Sequence, residues 1–147
     1  MRDTRLTQRR GLIATTLLLE EHARDAAEPQ LSSYTTAVIL CAHAAAECIL
    51  SEWAQQREPE IGLRMTREGW PLVRALEELL PRIDAALPAN IVLMANVRNW
   101  LCAPGPEYYR AAHLADWLTR EGARRALAVV LSLESQFFPG GEAAIPR

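Results

Sequence analysis

Three observations predict an all-α fold for this chain, an antiparallel bundle of about five helices. The segments between turn-forming residues are rich in Ala, Leu, Glu and Arg, which favour helices. No run of alternating β-branched residues, the usual sign of a strand, occurs in the sequence. Proline and glycine mark short connections, which favour antiparallel neighbours. The 147 residues suit one domain, predicted at 1–139 with a tail at 140–147.

The positions of the breaks place each helix. Ser32 or Ser33 is the expected N-cap of the second helix, because serine accepts a hydrogen bond from the first turn. Pro81 interrupts the third helix, since its ring cannot donate to the preceding turn. Gly122 is a point where the fifth helix bends or breaks. The predicted helices are about 4–27, 32–57, one beginning at 70–71 and interrupted at 81, 88–102 and 106–138.

Composition and charge exclude several classes of protein. With 50% hydrophobic residues and a net charge of −2, the chain is too apolar for a disordered protein. All 16 basic residues are Arg, yet the sequence pI of about 5.9 predicts weak, non-specific RNA binding at most. The most apolar stretch, 37–50, is shorter than the about 20 residues of a membrane span. Since no secretory signal is recognisable either, we expect a cytoplasmic protein without membrane contact.

The second helix is apolar around nearly its whole circumference, which predicts a central position or a subunit interface. Its strongly polar exceptions are His43 and Glu47, spaced i, i+4 on one side. Because an unpaired buried carboxylate is costly, we expect the two to form a hydrogen-bonded core or interface pair. No metal site is expected, because a carboxylate-bridged metal bundle needs Glu-x-x-His on two helices. No other cofactor is expected.

The fourth helix ends in a polar group formed by Arg98 and Asn99, followed by Trp100. A cation in the last turn complements the helix dipole, and we expect Arg98 to bridge to Glu47 as well. Trp100 is expected to be a core or dimer anchor, as tryptophan often is.

The order of these elements resembles the HEPN superfamily over about residues 31–135. The similarity lies in Ala44–Leu50 (AAAECIL), Leu72–Leu80 (LVRALEELL) and Val97–Pro104 (VRNWLCAP). The resemblance implies a small helical bundle of a prokaryotic toxin–antitoxin or antiviral defence system. Such bundles commonly pair about a two-fold axis, with the Arg at the helix end facing the partner.

Active members of that superfamily carry an Arg, a following polar residue such as Asn, and a His four to six residues after the Arg. In metal-independent RNA cleavage the His moves a proton, and the Arg stabilises the charge that develops on phosphorus. In this chain, Cys102, Ala103 and Pro104 occupy those three positions after Arg98, and the next histidine is His113. Losing a general acid–base typically lowers the rate by about 10²–10⁴.

We therefore expect no catalytic residues and a non-catalytic module that acts by association, as a homodimer or with a related helical subunit. The predicted interface residues are His43, Glu47, Arg98 and Trp100. The alternative is a metal-independent ribonuclease with a displaced base, whose residues are Arg98, Asn99, Glu47 and His113, or His43 in place of His113.

Arginine clusters occur at both ends of the chain, and a solvated face is expected for each. The clusters are Arg2, Arg5, Arg9 and Arg10 in the first helix, and Arg120, Arg124 and Arg125 in the last. Contact with nucleic acid is the alternative for both clusters, for Arg120, Arg124 and Arg125 as well as for the cluster in the first helix. An acidic partner is a further alternative for the cluster in the first helix. The cysteines Cys41, Cys48 and Cys102 have no metal-ligand spacing and are expected to be small buried residues.

Overall fold

The computed structural model describes residues 4–83, 87–102 and 116–140, and these are helical throughout with short connections. The all-α bundle is thereby confirmed. His113, the segment from 103 to 115 and most of the predicted tail lie outside the described residues. The helices are α1 (Thr4–Asp25), α2 (Gln30–Arg57), α3 (Pro59–Glu68), α4 (Leu72–Leu79), a 3-10 turn (Leu80–Arg82), α5 (Leu87–Cys102) and α6 (Arg120–Phe137).

Helix α2 is the centre of the bundle, and the other five described helices all pack on it. Helix α1 runs antiparallel to α2, since Arg9 near its start meets Glu52, and His22 near its end stacks on Tyr34 with ring centroids 5.5 Å apart. The core consists mainly of α2 side chains with those of α4, α5 and α6, among them Val38, Ile49, Leu50, Leu72, Leu79, Ile91, Met94, Leu133 and Phe137.

Helix α6 lies parallel to α2. At its beginning, the Thr35 hydroxyl donates to the carbonyl of Leu118 over 3.3 Å. At its end, the ring of Phe137 meets Trp53 edge-on at 5.1 Å. Helix α1 is therefore antiparallel to both α2 and α6, so the first and last described helices enclose one side of the central helix.

The length of α2 raises the question whether this helix crosses a membrane. Among the described helices, α2 is long and apolar enough to cross a membrane by length and composition, but 56% of its most apolar 18-residue window is buried inside the bundle. Burial of this kind is what the central helix of a bundle needs.

The start of α2 differs from the prediction. Helix α2 begins at Gln30 with Pro29 at the N-cap and no side-chain cap, so the expected Ser32 or Ser33 cap was wrong. Ser32 lies inside the first turn, where its hydroxyl donates to the Glu28 carboxylate over 2.6 Å. Proline fits this start because its fixed φ suits a helix end and its missing N–H needs no partner there.

The sequence predicts no helix between residues 57 and 70, but the structure shows one there, α3, which is opened by Pro59. It folds back on α2 after Glu58 and crosses it closely at Gly62, where a Cβ would lie 2.7 Å from the Cα of Gln55. Gly69 ends the helix with a φ of 61°, a left-handed conformation that glycine adopts without strain.

The two predicted interruptions occur, although one is displaced. The chain leaves the α-helix at Leu80 for a 3-10 turn that contains Pro81, as predicted. The expected break at Gly122 instead lies before α6, whose N-cap is Thr119. The Thr119 hydroxyl accepts a hydrogen bond from the Gly122 N–H over 3.1 Å, which fixes the helix start at this threonine.

Candidate functional site

The predicted polar pair of α2 is present in the structure. His43 Nδ1 lies 2.9 Å from Oε1 of Glu47, one turn along the helix. The His43 side chain is buried, whereas that of Glu47 is 41% exposed. The pair therefore connects the interior of the bundle to its surface.

The polar end of α5 does not join this pair. The Arg98 guanidinium donates over 3.1 Å to Oδ1 of Asn99, its neighbour in the same turn. The ion pairs formed by the described residues do not include Arg98 with Glu47, so the expected bridge within one chain was wrong. The reason is that Glu47 turns towards His43 and a cleft beside α2, while Arg98 bonds within its own turn. Trp100 is half-buried nearby.

A cleft of about 250 Å³ opens beside the middle of α2, between the start of α1 and the pair α3 and α4. Its apolar residues are Met65, Trp70, Leu72 and Ala75. Its polar or polarisable residues are Gln8, Glu47, Cys48, Ser51, Glu52 and Thr66. Glu47 thus belongs to both the histidine pair and the cleft.

A buried ionic cluster lies behind this cleft, and the sequence reasoning missed it. Arg9 is fully buried, and its Nε donates to Oε2 of Glu52 over 2.8 Å. Its Nη1 donates to Oε1 of Glu134 from α6, and its guanidinium carbon lies 4.0 Å from the ring centre of Phe138. The cluster therefore ties α1, α2 and α6 together through one side chain.

Arg9 therefore does not belong to a solvated arginine face, and that expectation was wrong. The helical spacing of α1 contains the signal that could have identified it. Arg9 is followed at intervals of three or four residues by Leu12, Thr16, Glu20 and Ala23, which are buried or half-buried. An arginine at this spacing lies on the packed side of the helix and needs carboxylate partners there.

Among the described residues, the carboxylates of Glu52 and Glu134 share the guanidinium of Arg9, whereas the carboxylate of Glu47 pairs with His43. Burial raises the pKa of the Cys48 thiol, and the nearby charges of Glu47 and Glu52 raise it further. Burial also raises the pKa of the Cys41 thiol, which lies two turns earlier on α2. Neither thiol is therefore poised as a nucleophile.

Trp70 stands at the edge of the cleft between two arginines. The guanidinium carbons of Arg64 and Arg74 lie 5.1 and 5.0 Å from its ring centre. Each arginine is also paired with a glutamate four residues further along its helix, Arg64 with Glu68 and Arg74 with Glu78. These pairs hold the indole in place with little net charge.

The arginines of α6 do not form one basic face. Arg120 donates to the carbonyls of Arg24 and Ala26 at the end of α1, so it satisfies a helix terminus. Arg124 pairs with Glu121 over 3.2 Å at the surface. Arg125 lies 4.3 Å above the ring centre of Trp117 and donates to Asn90 of α5. All three thus have contacts within the chain.

One row of α2 stays at the surface. Ala37, Leu40, Cys41 and Ala44, spaced i, i+3, i+4 and i+7, are half-exposed or exposed, and Leu40 is 39% exposed. We call these four residues the outer face of α2. The His43–Glu47 pair borders this face, because Glu47 follows Ala44 by three residues and shares its side of the helix.

The described residues contain no cluster of three or more His, Cys, Asp or Glu side chains that could hold a metal ion. Comparisons of the chain with protein-family models, with curated proteins and with solved structures find no match.

The three cysteines should differ strongly in reactivity towards a thiol reagent at pH 8. Cys102 is exposed at the end of α5, contrary to the expectation that it is buried, whereas Cys41 and Cys48 are half-buried with raised pKa values. Because the thiolate is the reacting form, we expect one fast thiol per chain, at least about tenfold faster than the others. Titration with a chromogenic disulfide measures this. The fast phase should disappear in Cys102→Ser, and its persistence there would contradict the prediction.

Proposed function

We propose that this chain acts by protein association rather than catalysis, as a HEPN-like helical module that forms a homodimer in the cytoplasm. A prokaryotic defence or toxin–antitoxin assembly is the setting that the resemblance implies. The observation that supports association is the outer face of α2, a surface row on the central helix of the bundle, which is long and apolar. Uncovered apolar surface on a small domain is typical of an interface.

The residues of the outer face suit a helix–helix contact. Ala37 and Ala44 are small, so a partner helix can approach to the about 8–10 Å between axes that close packing requires. Leu40 and Cys41 lie between them and supply the apolar side chains that such a contact would bury. About a two-fold axis the same row meets itself, so each favourable contact is made twice.

Two charged residues predicted at the interface supply the expected polar rim. Glu47 is partly exposed, and Arg98 has its contact with a neutral amide of its own turn rather than with a carboxylate. Across a two-fold axis, Arg98 of one protomer would pair with Glu47 of the other. Complementary charges at a rim mainly fix the orientation and the rate of association.

Charge reversal tests this arrangement. Arg98→Glu and Glu47→Arg should each raise the dimer dissociation constant about tenfold or more, because each places like charges together twice per dimer. The double variant should recover most of the affinity, since it restores opposite charges. Sedimentation equilibrium measures the constants, and circular dichroism checks that helicity is unchanged.

The matched control is the exposed ion pair Arg124 and Glu121 on α6. Arg124→Glu and Glu121→Arg reverse the same charges away from the outer face and should leave association unchanged. If the variants of both charge pairs weaken dimerisation equally, the effect is one of net charge. If Arg98→Glu does not weaken dimerisation, the proposed rim is contradicted.

RNA cleavage is the activity that the alternative requires, and we expect none. The described part of the chain has His43 next to Glu47 in α2 and His22 stacked on Tyr34, and neither is bonded to Arg98 or Asn99. Because no histidine stands four to six residues after Arg98 in the sequence, a mixed RNA pool with micromolar protein and a metal chelator should remain intact on a denaturing gel. Cleavage that is lost in Arg98→Ala would instead support the ribonuclease.

A further inference from the structure

We propose that the cleft beside α2 binds an alkylguanidinium cation, the chemical group at the end of an arginine side chain. The proposal depends on the shape, charge and hydrogen-bonding groups of the cleft, which shares Glu47 with the proposed dimer rim but none of the four residues of the outer face.

The size of the cleft suits a single side chain. Its volume of about 250 Å³ lies below the roughly 300–1,000 Å³ of sites for drug-sized ligands. Buried Met65, Leu72 and Ala75 provide apolar surface from α3 and α4. An alkyl stem can pack there while its charged head stays at the polar wall, as arginine stems do on protein surfaces.

The charge of the polar wall selects a cation. Glu47 and Glu52 both line the cleft, and the guanidinium of Arg9 behind Glu52 is shared with Glu134. Among the described residues, Arg9 pairs with Glu52 and Glu134, whereas the carboxylate of Glu47 pairs with His43 alone. The arginines beside Trp70 do not reverse this balance, because each is paired with a glutamate of its own helix.

The hydrogen-bonding groups favour guanidinium in particular. Glu47 uses Oε1 for His43, and its Oε2 has no partner among the described residues. Ser51 accepts from Gln55 and Thr66 donates to the Gly62 carbonyl, which leaves an acceptor lone pair on each hydroxyl. A guanidinium has five N–H donors and no acceptor, so it matches a wall of carboxylate and hydroxyl oxygens.

Isothermal titration calorimetry with n-butylguanidinium tests the proposal, with the neutral isostere n-butylurea as the ligand control. We expect saturable binding of the cation at one site per chain and none of the urea. Glu47→Gln should weaken binding about fivefold, the size of an ion pair at a half-exposed position. Glu121→Gln removes an exposed carboxylate outside the cleft and should bind as the wild type does.

A second variant keeps the test decisive if Glu47→Gln fails to fold. Thr66 is exposed on α3, so Thr66→Met should fold, and its longer side chain should fill the cleft and abolish binding. Equal binding of cation and urea, or unchanged binding in the variants that fold, would overturn the proposal.

A short peptide with one central arginine distinguishes the sources of the ligand. If the peptide binds more tightly than n-butylguanidinium, the natural ligand is an arginine of a protein partner. If the two bind equally, the natural ligand is a free guanidine compound. Both results support the cleft as the binding site. Binding to a protein that sediments as a monomer would refute the proposed homodimer alone. A dimer that binds neither compound would refute this inference alone.

Discussion

Replacing Arg9 with Met is expected to lower the free energy of unfolding by about 3–5 kcal/mol, the usual cost of removing one partner from a buried ion pair. The Glu52 carboxylate would remain buried without its guanidinium, and Glu134 would lose its contact to α1. Urea denaturation followed by circular dichroism measures the loss.

Two further variants separate the charge effect from packing. Arg124→Met removes an exposed arginine and should change the free energy of unfolding by less than about 0.5 kcal/mol. The triple variant Arg9→Met, Glu52→Gln, Glu134→Gln removes the three charges of this cluster together and should recover part of the loss, because the burial cost falls mainly on ionised groups. A loss below about 1 kcal/mol for Arg9→Met would contradict the assignment of this cluster.

Replacing Gly122 with Ala is the second change with a large expected effect. A Cβ at Gly122 would overlap the backbone of Trp117, whose carbonyl oxygen is nearest, so a backbone rather than a flexible side chain must move. Overpacking of this kind costs about 1–3 kcal/mol or more. Thermal unfolding should show a lower midpoint for Gly122→Ala.

The control for this prediction is Gly11→Ala, because Gly11 lies in the exposed middle of α1 with nothing within 4 Å of the added Cβ. There alanine should stabilise the protein by about 0.5–1 kcal/mol, since glycine is the poorer helix former. The two glycine substitutions are thus expected to shift the midpoint in opposite directions. If both substitutions shift the unfolding midpoint in the same direction, the tight contact at Trp117 does not determine the stability of the Gly122→Ala variant.

Much of the fold could be predicted from local chemistry, because helix formers and proline positions act within a few residues. The break at Pro81 and the His43–Glu47 pair follow from spacing on a single helix. Helix α3 was missed because its ten residues carry few apolar side chains, and its position depends on the close approach of Gly62 to α2. The close crossing of two helices belongs to the tertiary structure, which the local sequence pattern does not reveal.

The site was harder to predict than the fold. Arg9 joins residues 43 and 125 positions away in the sequence, and a run of arginines at the start of a helix is ordinarily solvated. The expected contact of Arg98 with Glu47 assumed that two polar exceptions on apolar helices must meet. The two residues need not meet, because each bonds to a nearer partner on its own helix.

The proposed self-association through the outer face of α2 can be measured directly as the mass of the protein in solution. Sedimentation equilibrium of the purified chain at micromolar concentration should give about twice the chain mass of 16.4 kDa. Leu40→Asp, which places a charge in the middle of the outer face, should return the mass to that of one chain with helicity unchanged. A wild-type mass of 16.4 kDa across the whole concentration range would refute the proposed self-association.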